Sequence, residues 1–205
     1  MFGYEESSIT MDPRVTEFQC IMPMDNVPSV LEHGILSYER AAKLAHHSVA
    51  MQPVQDKRDQ KHVPGGLRLH QYANLYFHAR NPMLFKRLDE VGRLCVLRVS
   101  INVLRIDGAV ITDQNAASDY VRFLHPSQWR LLAFDDIYAM DWRHPNDPVA
   151  FWRHKARKCA EILVPHRIEP GLLAGAYVVD SAAATRLQGL GFGLPVVVDS
   201  VLFFR

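Results

Sequence analysis

The sequence predicts a single α+β domain built on a mixed or split sheet, and three observations carry that expectation. Short segments rich in β-branched and aromatic residues recur roughly seven times along the chain. They do not alternate with helices in a βαβ rhythm, which argues against a doubly wound parallel sheet. The helical signals are short and gather early. With 205 residues and 48% hydrophobic content, the chain can bury one proper core. We therefore expect one domain over 1–205, with 1–15 as a loosely ordered N-terminal extension.

Taken in order, residues 17–22 read as a first strand ending at Pro23. Asp25-Asn26 offers an N-cap, and residues 27–33 read as a short helix stopped by Gly34. Pro28 fits inside that helix start, because its missing N–H was an orphan donor anyway. Residues 35–37 continue extended, and 38–44 form a second short helix. From His46 to Gly66 the charges dominate and no period emerges, so a solvated loop is expected; loops that long tend to be functional. Residues 72–77 form a strand, Pro82 opens a short helix, and 95–101 is the strongest strand in the chain, followed by 109–112. Residues 113–119 read as a turn into a helix reaching about Leu124. Residues 135–140 are ambiguous, 141–149 form a loop, and 150–158 a helix whose basic end suits its dipole. Strands at 162–164, 175–179 and 195–198, a helix at 181–190, and the apolar 202–204 complete the chain.

Composition narrows the chemistry. A net charge of +1 gives no global attraction to nucleic acid, so such a surface must come from local clustering. The ten His are scattered without His-x3-His or Cys-x2-Cys spacing, so no metal site is expected. Three widely spaced Cys fit a reducing compartment. The polar N-terminus lacks a signal-peptide pattern, and no run approaches the ~18 apolar residues of a membrane span. These features lead us to expect a cytoplasmic protein that engages no membrane. Neither a Gly-x-Gly-x-x-Gly after a strand, nor a phosphate loop, nor a nucleophile elbow is present.

One stretch stands out. Between Arg143 and Lys158 lie five Arg or Lys, two His and a single acid, Asp147; Glu161 then opens a short apolar strand. Locally, a basic helix running into a buried strand, with Glu161 paired to a neighbour, explains this better than a catalytic role does. Other separated polar positions, Cys20, Arg58, Tyr76, Arg80 and Asn115, are each weak alone: Asn115 suits a turn and Tyr76 a core.

Together, however, ordered blocks resemble the DarT family of nucleic-acid-modifying ADP-ribosyltransferase toxins. They are Met24-Asp25-Asn26-Val27-Pro28-Ser29-Val30-Leu31 with Gly34; Ser48-Val49-Ala50 and Arg58 before Val63-Pro64-Gly65-Gly66; His70-Gln71-Tyr72 and Leu75-Tyr76-Phe77; Arg80-Asn81-Pro82-Met83-Leu84-Phe85; and Lys158-Cys159-Ala160-Glu161-Ile162-Leu163-Val164. The resemblance covers about residues 18–180. It implies an ADP-ribosyltransferase-like fold with a split mixed or antiparallel sheet and short peripheral helices. It also implies NAD⁺ as co-substrate, a base in single-stranded DNA as acceptor (thymine favoured, guanine possible), and a macrodomain-type antitoxin as partner.

Carried over by position, Glu161 is the implied catalytic glutamate and Arg58 the arginine that grips NAD⁺. Tyr76 lies beside the nicotinamide, with Cys20, Ile21, Met22, Ser29 and Ser48 completing the NAD⁺ site. The chemistry suits these residue types. Breaking the nicotinamide–ribose bond builds oxocarbenium-like charge, which a carboxylate stabilises while also taking the acceptor's proton. A guanidinium fork holds pyrophosphate as Lys would not. Trp152, Arg153, Lys155 and Arg157, with Trp142 and Arg143 before them, interleave aromatics and cations as single-strand recognition requires, and Arg80 and Asn115 join them as implied DNA contacts. The competing explanation buries both Trp and leaves the cations solvated. One departure stands: Cys20 occupies the place of the family's usual His, so Gln19 or another group would have to supply that nucleotide contact. Two alternatives follow, an impaired relative that binds nucleotide or nucleic acid without turnover, or transfer to RNA or protein.

Overall fold

The computed structural model describes residues 11–48 and 51–205; Val49, Ala50 and positions 1–10 of the expected extension lie outside the described residues. Of that extension, Met11 and Val15 are buried in the core, and Arg14 bonds Asp12 and Asp135.

β1 (Phe18–Pro23) is a central strand, and its first four residues are buried. After a 3-10 turn, α1 (Val27–His33) ends at Gly34, whose φ is +80°. A Cβ there would meet the Ile168 carbonyl oxygen at 2.0 Å, so both backbone and space demand glycine. β2 (Ile35–Leu36) follows, then α2 (Tyr38–Ala41), capped by the Ser37 side chain. α3 (Gln52–Asp59) lies inside the segment expected to be a loop. It has no apolar stripe to betray it. Pro53 sits in its first turn, Gln52 bonds Asp56 one turn on, and Lys57 and Arg58 complement its C-terminal dipole.

β3 (Tyr72–Tyr76) leads to α4 (Pro82–Phe85), whose first amides are capped by Asn81 Oδ1 at 3.0 and 3.2 Å. β4 (Leu94–Val99) is followed by the hairpin of β5 (Val110–Thr112) and β6 (Phe123–Leu124). The helix expected up to Leu124 is thus a strand end: Arg122 folds back on Asp113, which closes the loop and pairs Phe123 with Thr112. α5 (Phe134–Tyr138) resolves the ambiguous stretch. α6 (Pro148–Arg157) is N-capped by Asp147, which accepts from Ala150 N–H at 2.9 Å. β7 (Glu161–Pro165), β8 (Arg167–Ile168), β9 (Leu173–Val178), α7 (Ser181–Gly189) and β10 (Val196–Val198) complete the chain, and 202–204 form a turn.

Eight strands form one mixed sheet in the order β10-β9-β4-β1-β3-β7-β5-β6, and β2 pairs with β8 apart from it. Among the described residues, only β9 and β10 run parallel within it. β1 pairs with β4 along its whole length, and β3 with β7 from Tyr72↔Pro165 to Tyr76↔Glu161. β1 and β3 meet at a single register pair, Gln19↔Tyr76. The sheet therefore splits at its centre, as expected, and a cleft opens where the two strands part. Behind it, Phe18, Phe77 and Phe134 pack edge to face at 5.3 and 5.8 Å.

Candidate active site

The cleft at the split has a volume of about 470 Å³. Cys20, Ile21 and Met22 of β1, Ser29 of α1, Ser48, Arg58 of α3 and Tyr76 of β3 all line it. All seven residues expected to form the NAD⁺ site therefore line one cavity, although the elements that carry them are spread over nearly 60 positions of sequence.

Glu161 lies beneath this cavity and is fully buried. Cross-strand pairing with Tyr76 sets it on the same face of the sheet. Its carboxylate accepts from the Arg58 guanidinium at 3.0 and 3.3 Å and from the Ala116 N–H at 3.0 Å. Its own N–H donates to Thr112 Oγ1 at 3.0 Å. A buried carboxylate needs such partners, because an unpaired charge away from water costs several kcal/mol. Arg58 is also buried, as an arginine at a polar helix end would not be without Glu161.

The neighbouring groups stay neutral. Burial first, then the Glu161 charge, holds the Tyr76 phenol well above its usual range. Burial pushes the Cys20 thiol up to about 12, and burial aided by Glu161 does the same to Cys159. Neither is a thiolate nucleophile at neutral pH. Among the described residues no cluster of three or more His, Cys, Asp or Glu could hold a metal ion, and no helix is long and apolar enough to cross a membrane.

Gln19 does not stand in for the histidine missing at Cys20. Its Oε1 accepts from Ala79 N–H at 2.7 Å and its Nε2 donates to Glu17 at 3.2 Å, so the amide is already engaged. Asn26 does not cap α1. Its side chain instead donates to His47 O at 2.7 Å and accepts from His47 N–H at 2.9 Å, holding the 46–48 segment against the cleft. Asn74, His46 and His47 also line the cavity and carry no sequence signal beyond their residue types.

The residues implied for DNA divide. Asn115, Trp152 and Lys155 line the cleft. Trp152 is 62% exposed, with the Lys155 ammonium 4.4 Å from its ring centroid. Trp142 is buried against Phe85 and Phe204, so one tryptophan is core and the other is not. Arg153 is exposed outside the cavity, while Arg157 pairs with Asp136 at 2.6 Å. Arg80 lies 4.0 Å above the Phe204 ring and donates to Met140 O and Val201 O, away from the cleft. Lys158, part of the basic run, is fully buried; its Nζ donates to Ile137 O and Ala139 O at 2.8 Å and to His78 Nδ1 at 3.3 Å.

Comparison with known proteins accords with this geometry. A DNA ADP-ribosyl transferase–DNA ADP-ribosyl glycohydrolase fusion protein of Thermosipho africanus is 32% identical over 95% of this chain, which spans only 51% of that relative's length. A DNA ADP-ribosyl transferase of Thermus aquaticus is 27% identical, with 83% of this chain and 78% of the relative covered. The Thermosipho africanus DarTG structure in complex with ADP-ribose superposes with a TM-score of 0.78 at 29% identity, over 92% of this chain and 51% of that one. Thermus sp. 2.9 DarT in complex with ADP-ribosylated ssDNA shares the fold, with a TM-score of 0.81 at 21% identity, covering 94% and 98% of the two chains. The model of the family described as "ssDNA thymidine ADP-ribosyltransferase, DarT" matches residues 20–204, and the chain belongs to that family.

Proposed function

We propose that this chain transfers ADP-ribose from NAD⁺ to a base of single-stranded DNA. The observation that carries the proposal is the buried Arg58–Glu161 pair beneath a cleft at the sheet split. The family description and the names of the curated relatives support DNA as the acceptor, and the description favours thymine.

In the proposed reaction, NAD⁺ occupies the cleft with its nicotinamide near Tyr76. The bond between the ribose anomeric carbon and the nicotinamide nitrogen breaks, and nicotinamide leaves neutral with the electron pair. Glu161 stabilises the positive charge that develops on the ribose. The acceptor nitrogen then bonds to the anomeric carbon, and its proton passes to Glu161 and on to water. The Arg58 guanidinium bonds both oxygens of Glu161, so in the proposed reaction it turns toward the pyrophosphate and frees a carboxylate oxygen. Its rigid fork serves both partners. Trp152 and Lys155 supply a stacking face and a cation at the cleft mouth, where the unpaired base enters.

The Thermosipho relative is a fusion to a DNA ADP-ribosyl glycohydrolase. On that ground we assign this chain the toxin role in a toxin–antitoxin pair, opposed in the cytoplasm by a macrodomain-type antitoxin. The test is incubation with NAD⁺ and oligonucleotides that differ in one base type, followed by mass spectrometry. A gain of one ADP-ribose on thymine-containing strands is expected. NAD⁺ binding without any such gain, on any base, contradicts the proposal.

A further inference from the structure

We propose that Lys61, two residues beyond α3, is a positioning residue that sets the Glu161 carboxylate for the transfer step; the inference rests on the function proposed above. Among the described residues two groups bond that carboxylate, the Arg58 guanidinium and the Ala116 N–H, and they belong to segments far apart in sequence. Ala116 lies in the 113–119 loop, which leaves β5 after Thr112 and joins no strand until β6. Within the loop, Asn115 Oδ1 accepts from Ala117 N–H at 2.8 Å and Thr112 Oγ1 donates to Gln114 O at 2.7 Å. Those bonds shape the turn but set no distance to α3.

Lys61 sets it. Its Nζ donates to Ala117 O at 2.9 Å and Ser118 O at 2.5 Å, and lies 3.1 Å from the Asp119 carboxylate. An ammonium has three protons, and these three acceptors use them all. The Lys61 backbone is itself anchored: its N–H donates to Arg58 O at 3.1 Å, and its carbonyl accepts from Leu69 N–H at 2.9 Å. One residue thus bonds the segment carrying Arg58 to the loop carrying Ala116. The Lys61 side chain is 23% exposed and lies outside the cleft, so its influence on the reaction runs through those two segments.

The test compares Lys61→Met and Lys61→Arg with wild type in steady-state transfer to a single-stranded oligonucleotide, with unfolding temperatures measured alongside. Misplacing a catalytic group by about 1 Å costs up to 10²-fold, so Lys61→Met is expected to lower kcat roughly tenfold or more while KM for NAD⁺ stays within about threefold. Lys61→Arg, which keeps the charge and can reach the same carbonyls, is expected to restore most of kcat. Wild-type kcat in Lys61→Met, a loss confined to KM, or a loss that Arg does not recover overturns the proposal. Should Lys61→Met fail to fold, Lys61→Gln takes its place and is expected to lose kcat by about several-fold or more relative to Lys61→Arg, with KM for NAD⁺ within about threefold; a kcat equal to wild type overturns the proposal. If the wild-type chain transfers nothing, the proposed function fails, and amide exchange then decides the clamp. Faster exchange at Ala116 in the folded variant supports it, and an unchanged rate overturns it.

Discussion

Glu161 and Arg58 hold each other in a site where neither charge would otherwise be tolerated, and this sets what substitution does. Glu161→Gln keeps an acceptor for the Ala116 amide but leaves the guanidinium without its anion. We expect transfer to fall by at least about 10²-fold. We also expect stability to fall by roughly 3 kcal/mol, at the low end for breaking a buried pair, because Arg58 lines a cleft into which it can turn. Denaturant unfolding beside the activity assay separates the two effects. His78 is a second residue-scale case. Burial, reinforced by the neighbouring Lys158 and Arg80 charges, lowers its imidazole to about 3. The unfolded chain binds that proton near pH 6.5, so between 6.5 and about 3 it holds more protons than the fold, and stability is lost as pH falls. The contribution to the slope is at most about 1.4 kcal/mol per pH unit. His78→Gln, which keeps an acceptor for Lys158, should flatten this limb of the unfolding-midpoint profile between pH 7 and 4; an unchanged limb would contradict it.

Among the elements, α6 joins two jobs that its sequence did not separate. Its basic residues look alike along the chain, yet Lys155 lines the cleft while Arg157 is spent on Asp136 of α5. Lys155→Ala is therefore expected to weaken single-strand binding and reduce its salt slope by about one, measured by titrating affinity against salt. Arg157→Ala should leave that slope unchanged and loosen the packing of α5 on α6. α3 shows why some elements escape sequence reading. It is polar but for Pro53 and Val54, and is held by polar contacts, Arg58 to Glu161 and both Gln55 and Asp59 to His70, so no apolar period marks it. Phe123 and Leu124 were misread for the opposite reason: two apolar residues after a turn suit a helix as well as a strand, and the Arg122–Asp113 contact decides. The Ala116 amide could not be found at all, since any residue type but proline provides a backbone N–H.

Across the whole molecule, the sheet split turns scattered residues into a site. β1 and β3 touch at Gln19↔Tyr76 and part beyond it, and all seven residues expected to bind the nucleotide line the gap. The strands were legible from β-branched and aromatic runs, and their mixed, non-alternating order from the lack of βαβ rhythm. The family resemblance implied a split sheet, but not that the split falls between these two strands, because local composition carries no record of which strands part. The fate of Gln19 was hidden for the same reason, since Glu17 and the Ala79 amide reach it only in the fold. We propose that the Arg58–Glu161 pair under this gap performs ADP-ribosyl transfer. The most direct measurement is the single-turnover rate of transfer from NAD⁺ to a thymine-containing single strand by wild type and Glu161→Gln, with NAD⁺ affinity measured for both. The variant is expected to transfer at least about 10²-fold more slowly with NAD⁺ still bound; equal rates at equal occupancy would rule out this role for Glu161.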